Sequence, residues 1–384
     1  MRWDDARTTA HAVPALAATR LPLADALGAT LADSLWSRSA LPPFDSAAMD
    51  GYAVRGPGPW RVVGRVLAGD PLPPPLTDGT AVEVATGAGV PAGCEGVLPT
   101  EASVRDGDEA TGPAPAGRHV RRVGEECAAL TALLPAGTPV TPAVLGLAAA
   151  VGWDCLEVRP RPRLHIAVTG SELLAAGLPG DGRVRDALGP LLPGLLAALD
   201  AEVGPVRRLG DDAAATSELL AHPGADVLVT TGASAHGPAD HLRPALRALG
   251  AALVLDGVAV RPGHPVVLAR LPRGAWVVGL PGNPLAALAA AVTVLAPLLA
   301  GLAGRGLPRP LRATAGQPFA AHAEATSLVP VRRREGVAAC TGHAGPAMLR
   351  GAAVADGFAV VPAGQPVPRG AAVAVLDIPG ARPP

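Results

Sequence analysis

The spacing of apolar positions changes character along the chain and divides it into blocks. Residues 1–40 place apolar groups at helical intervals, in Ala15-Leu16, Leu21 and Leu23, then Leu27, Leu31 and Leu35, and read as helical. Leu41-Pro42-Pro43 breaks that pattern. From about 45 to 125, short Val/Leu runs at 60–63, 81–85 and 96–98 alternate with Gly/Pro turns, which predicts a small β-rich domain. Helical spacing returns over 142–152, so the β unit reads as an insertion within a helical one.

Residues 163–304 follow a different rule. Leu164-His165-Ile166-Ala167-Val168, Asp226-Val227-Leu228-Val229-Thr230 and Trp276-Val277-Val278-Gly279-Leu280 are short, nearly continuous apolar runs, as expected of strands buried on both faces. Helices are predicted over 188–199 and 241–249 and from Pro284 onward. Strands alternating with helices predict a parallel, three-layer α/β domain. Beyond Pro308-Arg309-Pro310 the chain returns to short strands and turns, a small β domain. The predicted division is a helical linker domain from 1–40 and 130–160, an inserted β-rich domain at 41–129, an α/β domain at 161–305 and a C-terminal β domain at 306–384. At 384 residues, several cores are expected.

Composition narrows the function classes. Apolar residues make up 49% and charged residues 17%, which fits a globular protein. The net charge of −1 gives no global attraction for nucleic acid or anionic lipid, so any anion site must be built locally. There is no lysine; all 32 Lys+Arg positions are arginine, in an Ala/Gly/Pro/Arg-heavy alphabet that suggests a GC-rich genome. Cys94, Cys127, Cys155 and Cys340 lie far apart with no CxxC pair, which predicts reduced thiols in a cytosol. The N-terminus opens with acids and carries no signal-peptide pattern. The uncharged stretch 284–304 raises a membrane question. It is rich in alanine, carries Pro297 and follows a strand and turn, so a buried core helix is expected.

The candidate chemistry gathers where the three α/β strands end. They run into Thr169-Gly170-Ser171-Glu172, into Thr231-Gly232-Ala233-Ser234-Ala235-His236-Gly237, and into Pro281-Gly282-Asn283-Pro284. Ligands of open α/β sheets sit at such carboxyl ends. Glycines let backbone approach a ligand and free N–H groups to face an anion. Asn283 falls at an N-cap with Pro284 at the first helical position. Singly, each loop reads as a plain turn; three at one sheet edge favour a phosphate-bearing ligand. Glu172 and Asp240 belong to the same edge and suggest a shared Mg²⁺, although an acid at a helix N-terminus would account for Asp240 as well. In Arg261-Pro262-Gly263-His264-Pro265, arginine can fork onto an oxyanion and His264 can donate when protonated, whereas an isolated turn of this kind is ordinarily a solvated loop. The segment 43–53 holds the chain's only tyrosine, Tyr52, and one of its three methionines, Met49; a packed domain corner explains that cluster equally well.

These segments, in this order, resemble the molybdopterin molybdenumtransferases of the MoeA/gephyrin E-domain family. PPFDSAAMDGYAV is similar to the family's hallmark PPFDxSAMDGYA; VATGAGVPAGCEGVLPTE, VRRVGEE, TGSEL, TTGASAHGPAD, VRPGHP, LPGNP and the final TGHAGPAMLRGAAVADGFAVVPAG occur after it at matching intervals. The resemblance runs over about residues 5 to 380. It implies four domains: a MogA-like molybdopterin-binding domain, an elongated linker, an inserted domain and a C-terminal β-barrel. It also implies a cytoplasmic homodimer with each active site shared between the α/β domain of one subunit and the inserted domain of the other. The implied reaction takes adenylylated molybdopterin and molybdate, uses Mg²⁺ or another divalent cation, and yields AMP and molybdenum cofactor. Neither nucleic acid nor a membrane is an implied partner. Carried over by position, Asp50 and Thr86 face the cleft from the inserted domain. Glu172 and Asp240 act with Asp50 in catalysis and hold the metal. Ser234, Pro281 and Pro284 are implied on the pterin and nucleotide side with Glu172 and Asp240; Thr169, Gly170, Gly232, Gly237 and Asn283 are expected there from the loop reading, and Arg261 with His264 is expected to take molybdate.

Several positions depart from the family pattern. KPGKP has become RPGHP, so two lysines are Arg261 and His264. Glu126 replaces the aspartate of GED, and Asp-Ser-Asn reads Asp186-Ala187-Leu188. Asp256 stands where a lysine is expected, and Pro330 and Pro346 stand where arginine and serine are frequent. Those losses keep open an alternative, a paralogue that holds molybdopterin as carrier or regulator. A nucleotide-pyrophosphate hydrolase would suit the α/β domain alone, but SAAMDGYA argues against it.

Overall fold

The computed structural model describes residues 1–232 and 240–381. The α/β domain holds a six-stranded sheet: β1 (Arg163–Thr169), β2 (Glu202–Leu209), β3 (Val227–Thr231), β4 (Ala252–Asp256), β5 (Val267–Arg270) and β6 (Trp276–Leu280). Its order is β2-β1-β3-β6-β5-β4, with β2, β1, β3 and β6 parallel and β5 antiparallel to both neighbours. The sheet is therefore mixed, not all parallel. The three strands legible as apolar runs are β1, β3 and β6, each flanked on both sides. Edge strands β2 and β4 are largely exposed, so they carry no continuous apolar run to read.

Strand alternation builds the three layers. Leu164, Ile166, Val168, Val229, Val278 and Leu280 share a core with α1 (Leu188–Ala197) and α4 (Pro284–Leu302). Ala167, Leu228, Val267 and Val277 point to the other face, against α2 (Ala213–Ala221) and α3 (Leu242–Ala248). α4 is long and apolar enough to cross a membrane, yet its apolar window is 100% buried inside the protein, as the core-helix reading expected. Its middle, Ala291–Leu295, widens into a π-helical segment. The N-terminal helix Trp3–His11 serves that segment: Trp3 Nε1 donates to Thr293 Oγ1 at 3.1 Å, and Arg7 Nη1 donates to the Val292 carbonyl at 3.1 Å. Burial pushes the Arg7 guanidinium down to about 10, so it stays charged at neutral pH.

The helical reading of residues 1–40 holds for Trp3–His11 and for one short 3₁₀ turn, Leu23–Asp25. Beyond that helix the chain is mainly extended: Thr19–Pro22, Thr30–Leu31 and Leu35–Trp36 are strands, two of them pairing with Cys155–Arg159 and one with Ala132–Leu134. Pro14 and Pro22 lack the N–H a helix needs, and Gly28 sits at φ +78°. Leu31 and Leu35 are buried while Leu27 is 50% exposed, so the three leucines share no face. Ala26, Leu31 and Leu35 pack with Val140, Val144, Leu156 and Val158 in one core, which brings the two ends of the insertion together. Within the insertion, Gly51–Arg55 and Thr80–Val84 pair as inner strands of a second six-stranded sheet. In the C-terminal region, Leu311–Ala315, Thr326–Arg334, Val337–Cys340, Gly357–Val361 and Ala372–Asp377 close into a five-stranded barrel.

Candidate functional site

The chain leaves β1 through α1 on one face and reaches β3 from β2 through α2 on the other, which opens a crevice at their carboxyl ends. A cavity of about 560 Å³ lies there, lined among others by Thr169, Glu172, Asp186, Gly232, Asn283 and Pro284. Glycine is required where the loops interlock. Gly232 has φ +87°, and a Cβ on it would stand 2.5 Å from the Thr169 carbonyl oxygen. Gly170 has φ +146°, and a Cβ there would meet Glu172 Oε2 at 2.6 Å, so its bare backbone lets that carboxylate fold over the turn. Thr169 Oγ1 donates to the Thr231 carbonyl and ties the β1 and β3 loops together. Gly282 of the third loop lies against Gly232, its missing Cβ 3.3 Å from the Gly232 Cα. Pro281 is buried behind it. Asn283 does occupy the N-cap of α4, with Pro284 at the first turn, but its side chain makes no capping bond. The Ala286 N–H donates instead to the Pro346 carbonyl at 3.0 Å.

A second cavity of about 510 Å³ adjoins the first through Asn283, and Arg261, His264, Pro281 and Pro346 line it. Gly263, at φ +112°, presses its turn onto α4: a Cβ there would sit 3.0 Å from the Ala286 carbonyl oxygen. Val260–Arg261 pairs with Thr326 and Ser327 of the barrel, which fixes the turn between two domains. On the inserted domain, Asp50 Oδ1 accepts from the Thr86 N–H at 2.6 Å and from the Thr86 hydroxyl at 2.8 Å. Both residues are exposed, and neither lines the Glu172 cavity of its own subunit.

Family models match along the chain: the MoeA N-terminal region (domain I and II) over residues 1–152, the "Probable molybdopterin binding domain" over 165–301, and the MoeA C-terminal region (domain IV) over 312–378. The molybdopterin molybdenumtransferase of Synechococcus elongatus is 36% identical over 304 residues, covering 74% of this chain and 75% of that protein. The chain belongs to the MoeA family. Molybdopterin molybdenumtransferase 2 of Mycobacterium tuberculosis is 35% identical over 330 residues, covering 80% of each chain. A MoeA protein structure from Pyrococcus horikoshii OT3 superposes with a TM-score of 0.79 at 22% identity, over 98% of this chain and 99% of that one, and so shares the fold.

Within this MoeA frame Glu172 lines the first cavity, and Asp240 is not among the described residues that line it. Asp240 Oδ1 accepts from the N–H groups of Leu242 at 3.1 Å and Arg243 at 3.4 Å, and its Oδ2 accepts from Arg243 Nη1 at 2.8 Å. It serves the start of α3 and a buried guanidinium and is absent from the cavity lining. Asp256, the apparent charge reversal, is matched by the same Arg243, whose Nε and Nη2 donate to Asp256 Oδ1 at 2.9 and 2.6 Å. The second carboxylate on the cavity wall is Asp186, which sequence reasoning treated only as part of a depleted motif. Its side chain is 1% exposed; it accepts from the Gly189 N–H at 2.7 Å and from Arg208 Nε at 3.0 Å. An acid three residues before Gly189, at the predicted start of α1, was the available signal. Ser234 and Gly237 lie outside the described residues. Among the described residues no group of three His, Cys, Asp or Glu side chains could hold a metal ion. Glu172 alone fits the one-carboxylate binding that magnesium uses when phosphate oxygens and water complete its shell. Pro346 does stand on the second cavity, whereas Pro330 is buried in the barrel.

Proposed function

We propose that this chain transfers molybdenum to molybdopterin by taking adenylylated molybdopterin and molybdate and releasing AMP and molybdenum cofactor. The observation that carries this reading is the pair of adjoining cavities meeting at Asn283: one framed by three glycine loops, the other by a fixed arginine and a histidine. The membership of the family and the transferase names of its relatives support the same chemistry.

Each group then has a task. Backbone at Gly170, Gly232 and Gly282 approaches the pterin and phosphate closely, while Asn283, free of a capping duty, can bond ligand in either cavity. Arg261 is a permanent cation and offers a bidentate fork to the molybdate oxygens. Asp50, kept ionised by Thr86, enters from the inserted domain of a second subunit in a homodimer. Glu172 is the residue that would hold a divalent cation such as Mg²⁺, which would supply charge withdrawal from the phosphate oxygens. The cytoplasm is the compartment that suits four cysteines free of disulfides.

Reconstitution tests this directly: purified protein, adenylylated molybdopterin, molybdate and Mg²⁺, assayed for AMP and for cofactor able to activate a molybdoenzyme. AMP release dependent on molybdate is expected. Tight pterin binding without AMP release under every metal tried would sink the transferase reading and leave a carrier.

A further inference from the structure

His264 replaces a family lysine, and its hydrogen bond decides what it can do. Its Nδ1 lies 2.7 Å from the Val258 carbonyl oxygen. A carbonyl only accepts, so Nδ1 carries the hydrogen. The turn around it is also closed by the Val258 and Val266 N–H groups, which donate to the His264 carbonyl at 3.0 and 2.9 Å. The ring edge bearing Nε2 lies over Gly257, whose missing Cβ would sit 3.5 Å from Nε2. Among the described residues no protein group bonds Nε2. With Nδ1–H committed, a neutral ring shows only a lone pair at Nε2, whereas the imidazolium shows an N–H there. A lysine would donate in either pH range.

Molybdate and sulfate carry no proton near neutral pH, so a lone pair at Nε2 repels them. Hydrogen phosphate carries a proton that it can donate to that lone pair. Resting on the molybdate reading of this cavity, we propose that oxyanion capture here is proton-coupled. His264 takes one proton from solvent onto Nε2 as molybdate binds, and the neutral ring favours a protonated oxyanion such as hydrogen phosphate.

Among the described residues, the Met1 end of the chain packs near this turn, its carbonyl accepting from the Ala259 N–H at 2.8 Å, so the terminal amine belongs with the charged groups near the ring. Arg261 shares its turn, and Asp256, held by Arg243, precedes Gly257. The parts of α4 and of the barrel strand that line the cavity, Ala286 and Ser327 to Val329, are uncharged. The facing loop contributes Ala344 and Pro346, with His343 beside them.

Titration calorimetry of the full chain with molybdate, sulfate and phosphate, across about pH 6 to 8.5 and in buffers of different ionisation enthalpy, tests the proposal. Molybdate affinity should fall up to about tenfold per pH unit at the alkaline end, with close to one proton taken up per anion. Phosphate should gain on molybdate over the same range. His264→Lys should flatten the slope, and His343→Gln should leave it unchanged. Nitrogen-15 spectra of the unliganded protein should show the Nδ1–H tautomer at alkaline pH. Molybdate binding without proton uptake, a slope that follows His343 instead, or an Nε2–H tautomer would each overturn the proposal while leaving the molybdate site standing. Failure of every oxyanion to bind at any pH would remove the molybdate reading itself, and this inference with it.

Discussion

Asp50 and Thr86, 36 positions apart, form one unit: a single carboxylate oxygen of Asp50 accepts both the amide hydrogen and the hydroxyl hydrogen of Thr86. Strand pairing explains the meeting. Gly51–Arg55 and Thr80–Val84 are antiparallel with Gly51 opposite Val84, which sets the residue before one strand beside the loop after the other. The Thr86 N–H first, then its hydroxyl, hold the Asp50 carboxyl below the usual aspartate range.

A depressed carboxylate pKa has a definite sign. The favourable interaction is fully present above the ordinary aspartate value of about 3.9 and is lost as pH falls through the lowered one. Thr86→Val removes the hydroxyl and keeps the larger amide contribution. A carbon-detected titration of Asp50 should therefore shift upward in that variant but stay below an unperturbed aspartate. An unchanged titration would mean that the hydroxyl contributes nothing.

If Asp50 works on the Glu172 cavity of a second subunit, inactive variants should complement each other. Asp50→Ala and Glu172→Gln should each lower AMP release on the order of 100-fold. Mixed one to one with free exchange, half the dimers are hybrids, and each hybrid keeps one intact site. Recovered activity should then approach about a quarter of the unmutated level. Verified hybrids with no recovery would place the whole site within one subunit.

Gly263 offers a probe of the second cavity alone. Its φ of +112° and the Ala286 carbonyl 3.0 Å from where a Cβ would stand leave Gly263→Ala no unstrained position. Strain of this kind costs about 1–3 kcal/mol and should be relieved by moving the turn away from α4. Molybdate affinity should fall by tenfold or more on the same scale, about 1.4 kcal/mol per tenfold, while pterin binding in the first cavity is retained. Equal loss of both ligands would show that the turn supports the two cavities together.

The legible and illegible parts of this fold differ in a physical way. β1, β3 and β6 announce themselves because both their faces are covered, and their carboxyl-end glycine loops mark the crevice. Residues 12–40 mislead because leucines four apart mimic a helix in a segment whose prolines and Gly28 forbid one. Asp186 escapes because its importance lies in burial against Arg208, 22 positions away on an edge strand. The role of Asp256 escapes for the same reason: its partner Arg243 is one helix earlier, and a lone acid in place of a lysine looks like damage until the guanidinium is seen.

That guanidinium is buried and held by two acids at once. Arg243 is 3% exposed and spans Asp240, itself 7% exposed, and Asp256, 34% exposed. Burial opposes its charge, and the two acids more than offset it, so its pKa is raised overall. Arg243→Met would leave two carboxylates near each other with their shared cation gone, and breaking a buried pair in this way costs on the order of 3 kcal/mol. Asp240→Asn should cost less: the amide oxygen can still accept from the α3 N–H groups, and Asp256 still faces the arginine. Asp256→Ala combined with Arg243→Met should recover part of the loss, because one of the two acids that shared the guanidinium is removed with it. Urea unfolding midpoints of the single and double variants give the coupling energy directly. Additive losses would show that Asp256 and Arg243 are neighbours without being partners, and the swap of lysine for aspartate at this position would then have no compensation in the fold.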